Sequence, residues 1–397
     1  MKTTNPVLQF SKRGFGLALC ASIALSGAMA QMPQRTPTPN DTLKSPNVMA
    51  DKRVAIQIYA PKATEVTVGG DFLSTNKPVS LVKNEQGVWS AVLGPLRPDY
   101  YTYTLMVDGV RTMDPKNPIV KQGISSLENV MAVPGPETAF EDNRAVPHGE
   151  VREVWYSSSS LNMMRRMHVY TPPGYEKGNG KYPVFYLLHG AGDDDSGWNT
   201  VGRAGFILDN LIAAGQAKPM IVVMPNGSMP MRPATGQTNP MQGLSTMRDM
   251  FASEFLKDVM PYVEKTYRIL PNRENRALAG LSMGGFQTFQ TTMTNLDKFA
   301  YIGGFSGAGR LQPGADVKQL YDGALTDADA FNKKMKLVYV SIGTKEPERM
   351  YAGVKGFHEA LDKAGVKHVY YESPGTLHEW QTWRRSLRQY ASLIFKK

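Results

Sequence analysis

The stretch Arg276-Ala277-Leu278-Ala279-Gly280-Leu281-Ser282-Met283-Gly284-Gly285 decides how this chain is read. Arg276 to Ala279 reads as the end of a buried strand and Phe286 to Met293 as a helix, which puts Ser282 on a sharp strand-to-helix turn. The Gly-x-Ser-x-Gly spacing suits such a turn. The serine must take a strained backbone conformation, and the missing side chains at Gly280 and Gly284 let strand and helix approach closely. An ordinary glycine-rich turn has the same appearance, so the partners of Ser282 have to decide.

A serine hydroxyl needs a histidine base, and the base needs an orienting carboxylate. On a strand-turn-helix nucleophile these follow in the order serine, acid, histidine. His378, in the loop Pro374-Gly375-Thr376-Leu377-His378-Glu379-Trp380 after the last strand-like run, fits the base. Glu346, in Gly343-Thr344-Lys345-Glu346-Pro347-Glu348 after the run Leu337 to Ile342, is the first choice for the acid, with Glu348 second. Backbone N–H groups for a developing oxyanion are expected from Met283, directly after the nucleophile, and from Ala191 in Leu188-His189-Gly190-Ala191-Gly192, with Gly190 second. His189 is expected to hydrogen-bond within that turn and to take no part in proton transfer. Ser306, in Gly304-Phe305-Ser306-Gly307, lacks the nucleophile spacing and is assigned to the wall of the site.

Working outward, the 397 residues are 42% hydrophobic and 20% charged, which excludes general disorder and allows two domains. Lys2, Lys12 and Arg13 precede an apolar run from Gly14 to Leu25 and then Ala28-Met29-Ala30, the pattern of an export signal over residues 1–30 cleaved after Ala30. A secreted or periplasmic protein, free of the membrane once the signal is removed, is therefore expected. The single cysteine, Cys20, lies inside that signal, so the mature chain has neither a disulfide nor a thiol nucleophile. The formal charge of +10 is scattered along the sequence, which argues against a nucleic-acid partner. Asp193-Asp194-Asp195 lacks the interleaved spacing of a calcium loop and reads as a solvated loop, so neither a metal nor a cofactor is expected.

Residues 31–50 are rich in Pro, Thr and Asn and read as a flexible leader. Over residues 51–138, Val54 to Tyr59, Glu65 to Val68, Val88 to Leu93 and Tyr100 to Val107 largely alternate at period two between tight turns, predicting a small β-sandwich. Residues 139–149 are linker-like. From residue 150 to 397, apolar strands (Arg166–Tyr170, Tyr182–Leu188, Met220–Met224, Tyr301–Phe305, Lys336–Ile342, Val366–Tyr371) alternate with amphipathic stretches. That order predicts a mostly parallel sheet covered by helices on both faces, with reactive groups at the strand C-termini.

Two resemblances follow from these residues. Ala60-Pro61, Gly70-Asp71-Phe72, Trp89, Tyr101-x-Tyr103 and Val107-Asp108-Gly109 with Asp114-Pro115 resemble immunoglobulin-like family 48 carbohydrate-binding modules. Trp89 and Tyr103 are nonetheless read as sandwich core. Tyr170-x-Pro172-Pro173-Gly174-Tyr175, Leu187-Leu188-His189-Gly190, Gly280 to Gly285, Gly304 to Gly307 and His378-x-Trp380-x-x-Trp383-Arg384 together resemble carbohydrate esterase family 1, α/β-hydrolases of the esterase D and feruloyl esterase kind.

The second resemblance implies an α/β-hydrolase with Ser282 as nucleophile, His378 as base and Glu346, where many relatives have Asp, as acid. It also implies that Gly190, Trp380 and Ser306 line the substrate. The implied partner is ester-decorated plant polysaccharide, first of all feruloyl or other hydroxycinnamoyl esters of arabinoxylan and next acetylated xylan. An enterochelin-type siderophore esterase, an acyltransferase and an inactive secreted glycan-binding protein are the other readings. The apolar segment Met229-Pro230-Met231, within Gly227 to Leu244, is a candidate wall for an aromatic acyl group.

Overall fold

The computed structural model describes residues 35–73, 77–230, 249–309, 311 and 316–396. The stretch read as an export signal, with Cys20, and the Gly227 to Leu244 segment beyond Pro230 lie outside the described residues.

Ten strands precede residue 135: β1 (Asn47–Val48), β2 (Val54–Tyr59), β3 (Val66–Gly70), β4 (Val79–Ser80), β5 (Val82–Lys83), β6 (Val88–Leu93), β7 (Asp99–Val107), β8 (Val110–Thr112), β9 (Val120–Gln122) and β10 (Leu127–Val133). They form two antiparallel sheets, β1-β2-β6-β5 and β4-β3-β7-β10-β9, with β8 paired to β7. The period-two pattern works as expected: Val54, Ile56 and Ile58 of β2 face inward and meet Val66, Val68, Leu105 and Met131 of the other sheet. Trp89 and Tyr103 belong to this core. The Trp89 indole N–H donates to the carbonyl of Ala60 at 2.9 Å and the Tyr103 hydroxyl to Asp114 at 2.8 Å, so each buried polar tip is satisfied.

The second half is one eight-stranded sheet made by β11 (Glu150–Ser158), β12 (Met163–Thr171), β13 (Val184–Leu188), β14 (Ile221–Pro225), β15 (Arg276–Leu281), β16 (Tyr301–Phe305), β17 (Leu337–Gly343) and β18 (Val369–Ser373). Their order is β11-β12-β14-β13-β15-β16-β17-β18. β12 runs antiparallel to both its neighbours, and every other pair from β14 to β18 is parallel. This is an α/β-hydrolase sheet. Its central strands are buried on both faces, which is why Val184-Phe185-Tyr186-Leu187-Leu188 reads as a continuous apolar run.

Alternate residues go to opposite layers. Phe185 and Leu187 pack under the helices Ala204–Ala213 and Trp380–Leu393, and Val184, Tyr186 and Leu188 pack under Phe255, Val259 and Val263. Each such side chain, fully buried, contributes about 1.5–3 kcal/mol.

In this half one strand was not legible. β11 is the edge strand, pairing Glu150 to Thr171 and Ser158 to Met163, and most of its residues are exposed. Glu150, Arg152 and Glu153 give it the charged character of a protected edge and not the alternation of a half-buried strand.

The two halves meet through charged groups. Arg384 of the last helix is fully buried and pairs with Asp99 of β7 and, at 2.6 Å, with Glu141, while its Nη1 donates to the carbonyl of Val201 at 2.9 Å. Glu141 lies in the 139–149 stretch, which is tied down where the sequence suggested a linker: the Asn210 amide donates to the carbonyls of Phe140 and Asp142. Close to the site, Lys121 pairs with Asp193 at 2.7 Å and the Ile124 N–H donates to the carbonyl of Gly192 at 3.1 Å.

Candidate active site

Ser282 follows the last residue of β15 and immediately precedes the helix Met283–Met293. Its backbone sits at φ 48°, ψ −113°, a conformation that costs a residue with a side chain about 1–3 kcal/mol. The surroundings hold it there. Its N–H donates to the carbonyl of Phe305 at 2.8 Å, and its carbonyl accepts from Gly285 at 3.0 Å and Phe286 at 3.2 Å.

The glycines are dictated by proximity. A Cβ on Gly280 would stand 2.5 Å from the backbone of Gly284, and one on Gly284 2.5 Å from the carbonyl oxygen of His189. Strand, helix and the 188–192 loop are thus in backbone contact around the serine.

The Ser282 hydroxyl lies 2.9 Å from Nε2 of His378, and His378 Nδ1 lies 2.8 Å from Glu346 Oε2. An ionised carboxylate only accepts, so Nδ1 carries the hydrogen and Nε2 is left to accept from Ser282. Glu346 is buried. Its Oε1 accepts from the Ser306 hydroxyl at 2.5 Å and from the Gly343 N–H at 3.1 Å. Glu348, the other acid considered, is exposed in the first turn of the helix Glu348–Lys363.

The acid and base loops are sewn together. The Lys345 N–H donates to the carbonyl of Thr376 at 2.9 Å, the Gly375 N–H to the Thr344 hydroxyl at 2.7 Å, and the Thr344 N–H to the carbonyl of Ser373 at 3.0 Å. These bonds fix a geometry that loop sequence alone does not specify.

The oxyanion side is arranged as follows. The Met283 N–H, first in its helix, has no intrahelical acceptor and adds to the positive end of the helix dipole. His189 Nε2 accepts from the Gly227 N–H at 2.9 Å, so its Nδ1 bears the hydrogen and donates to the carbonyl of Gly190 at 2.8 Å. Because the peptide is planar and trans, pinning the Gly190 carbonyl toward His189 turns the Ala191 N–H to the other side. Ala191 itself is exposed at the mouth of the site, and Gly190 is buried, its would-be Cβ 3.4 Å from that of Ser282. His189 is therefore the structural residue of this turn, as the sequence suggested.

Three readings need correction. Trp380 does not face outward. It is buried, edge-to-face with Trp198 at 5.2 Å and Trp383 at 5.4 Å, because the first turn of its helix is directed into the core. Ser306, expected on the substrate wall, is fully buried behind Glu346, where its hydroxyl also accepts from the Trp383 indole N–H at 3.1 Å.

The aspartate run is not solvated. Asp193, Asp194 and Asp195 are all buried, with Lys121 on the first, Arg166 on the second at 3.1 Å, and Arg166 and His168 on the third, both at 2.8 Å. The cations come from strands remote in sequence, so contiguity gave no hint of them.

Trp383 was missed as a site residue. Its ring stands edge-on to His378 at 5.1 Å and its indole N–H reaches Ser306. The one available signal was its position one turn beyond Trp380 on the helix that follows the base. Of the apolar segment named as an acyl wall, Met229 is partly buried and packs against the core around Tyr156 and Phe251.

Comparison with known proteins agrees with this architecture. Residues 158–392 match the Esterase family model, and residues 44–118 match carbohydrate-binding module 48, the isoamylase N-terminal domain. An endo-1,4-beta-xylanase/feruloyl esterase of Xylanibacter ruminicola is 34% identical over 362 residues, covering 88% of this chain and 46% of that protein. The chain thus spans less than half the length of this relative. A CE1 ferulic acid esterase from the anaerobic fungus Anaeromyces mucronatus is 28% identical with a TM-score of 0.54, over 66% of this chain and 96% of that one. The enterochelin esterase of Shigella flexneri, 15% identical with a TM-score of 0.62, covers 87% of this chain and 93% of its own, a likeness of fold.

Proposed function

The chain belongs to the Esterase family, and on that premise we propose that it is a secreted serine carboxylesterase that removes feruloyl or other hydroxycinnamoyl groups from arabinoxylan. The observation that carries the reading is the unbroken hydrogen-bonded line Ser282–His378–Glu346, with distances of 2.9 and 2.8 Å. In the proposed mechanism Ser282 Oγ attacks the ester carbonyl carbon and its proton passes to His378 Nε2. The negative charge on the former carbonyl oxygen is met by the Met283 and Ala191 N–H groups. The carbon–oxygen bond to the sugar then breaks as His378 returns the proton to the leaving alcohol. Water, deprotonated by the same nitrogen, releases the acid from the acyl-enzyme. Glu346 holds the tautomer and stabilises the imidazolium.

The substrate class is supported by the feruloyl esterase named among the relatives and by the family 48 module. Export, with cleavage after Ala30, belongs to the same proposal, since polymeric xylan does not enter a cell. The test is hydrolysis by the mature protein and its Ser282→Ala variant of feruloylated arabinoxylan oligosaccharide, acetylated xylan and enterochelin, side by side. Ser282-dependent release of ferulate, faster than the other two, is expected. Release of acetate or of the catechol acid alone would reassign the substrate, and equal release by the variant would remove Ser282 from the mechanism.

A further inference from the structure

The chain has six histidines, and four of them have a partner that explains them. His378 faces Ser282 and Glu346, His168 faces Asp195, His148 faces Asp209, and His189 closes its turn. The remaining two face each other. His358 lies in the helix Glu348–Lys363 and His368 just before β18, and Nδ1 of the first is 2.7 Å from Nε2 of the second.

Both rings are held in place. His368 Nδ1 donates to the carbonyl of Val366 at 2.9 Å, which leaves its Nε2 as a lone pair directed at His358. The His358 ring stacks on Tyr370 at 4.1 Å, with only 6° between the planes. Asp362, one helical turn beyond His358, brings a carboxylate. One ligand atom from each of the three residues lies within 4.8 Å of the others.

We propose that His358, Asp362 and His368 form a site for a divalent transition-metal ion of the zinc type. Two imidazoles and one carboxylate are a donor set that suits zinc, and a fourth position stays open for water. The Val366 carbonyl on His368 Nδ1 is the outer-shell bond that such ligands characteristically have, fixing the tautomer and the ring. Tetrahedral bonds of about 2.0–2.1 Å keep ligand atoms roughly 3.3 Å apart, so the two rings must separate by about 0.6 Å from their metal-free contact. Asp362 is mostly exposed, with its carboxylate 3.6 Å from His358 Nε2 and 3.9 Å from His368 Nδ1, and it joins the site by swinging toward the nitrogens that face each other. His358 ligates through Nδ1 as a neutral imidazole, its hydrogen moving to Nε2, and no oxidation or reduction is involved.

The consequence is mechanical. The helix Glu348–Lys363 starts two residues after Glu346, and β18 ends five residues before His378. An ion at the far ends of these two elements would clamp together the supports of the acid and the base from roughly 15–20 Å away, about the length of a five-residue strand.

The experiment is titration of zinc ion into the mature protein without an affinity tag, by calorimetry and by competition with a chromogenic chelator. One equivalent is expected to bind, with a rise in Tm. His358→Ala and His368→Ala should each weaken binding by about 100-fold and Asp362→Asn by about tenfold, with circular dichroism showing that the variants are folded. Ester hydrolysis by the metal-free Asp362→Asn protein should match that of the metal-free wild type. Absence of binding, or binding unchanged in His358→Ala, would leave the pair as a hydrogen bond only and overturn the proposal. Loss of the ion in His378→Ala instead would move it to the triad, and full affinity in Asp362→Asn would overturn the three-ligand site.

Discussion

Of the buried carboxylates that meet a histidine Nδ1 at 2.8 Å, Glu346 with His378 and Asp195 with His168 form the sharper contrast. The pairs differ in what else the carboxylate holds. Asp195 carries the guanidinium of Arg166 on both oxygens, at 2.8 and 3.2 Å, so its charge is already neutralised by a permanent cation. Glu346 accepts from neutral donors, Ser306 and Gly343, and among the described residues no Lys or Arg pairs with it. Its charge stays available for the imidazolium that forms on the other side of His378. A third pair, His148 with Asp209, adds that the dyad is a recurrent structural device. Asp209, like Glu346, accepts from neutral donors, the Gly149 N–H and the Tyr170 hydroxyl, so what sets one of the three apart is the serine on the second ring nitrogen.

The comparison breaks most visibly at the nucleophile. Ser282→Ala should lower kcat by about 10⁶-fold, and the double variant with His378→Ala should be no worse, because the residues act as a unit. Steady-state kinetics on methyl ferulate checks both, and a double variant clearly slower than either single one would separate the two residues.

Next comes the acid. Glu346→Gln keeps the shape but lets His378 take the wrong tautomer, and kcat should fall by about 10⁴-fold. Glu348→Gln should leave it unchanged, so a comparable loss at Glu348 would overturn the assignment of the acid.

Ser306→Ala removes one hydrogen bond to the Glu346 carboxylate, which at about 1.5–3 kcal/mol amounts to a tenfold or greater loss in kcat with KM little changed. A change confined to KM would return Ser306 to the substrate wall.

The smallest effect on turnover should come from the structural pair. Asp195→Asn should leave kcat within a factor of a few while lowering stability by about 1.5–3 kcal/mol, since His168 and Arg166 lose a charged acceptor while Arg166 keeps Asp194. Thermal unfolding measures this. Burial pushes the Asp195 carboxyl up, but the bonds from His168 and Arg166 outweigh it and hold the group below its ordinary 3.8. A lowered folded-state pKa gives stability that is present above 3.8 and drains away as pH falls through the folded value. Wild type should therefore lose more stability than Asp195→Asn between pH 4 and the acid limit, and parallel acid-unfolding curves would contradict the pairing.

The divide between what was legible and what was not follows one physical line. Local rules carried the strand-turn-helix at Ser282, because a strained nucleophile and close backbone contact demand glycines at fixed offsets from the serine. Burial on both faces writes itself as apolar runs, so the central strands and their order along the chain were readable, as was the core role of Trp89 and Tyr103. Charge and edge positions were not. β11 is exposed and charged because it is an edge, Asp193 to Asp195 are buried because Lys121, Arg166 and His168 arrive from other strands, and Trp380 turns inward where a motif suggested a surface. Glu346 could be separated from Glu348 only once the acid and base loops were joined by hydrogen bonds between residues about thirty positions apart. The sequence by itself determined which residues can do chemistry, since that depends on side-chain type and on spacing within a turn. Only the tertiary structure decided which carboxylate stands against which histidine and whether a cation neutralises it. Those depend on distances between segments, and folding, not spacing, sets them.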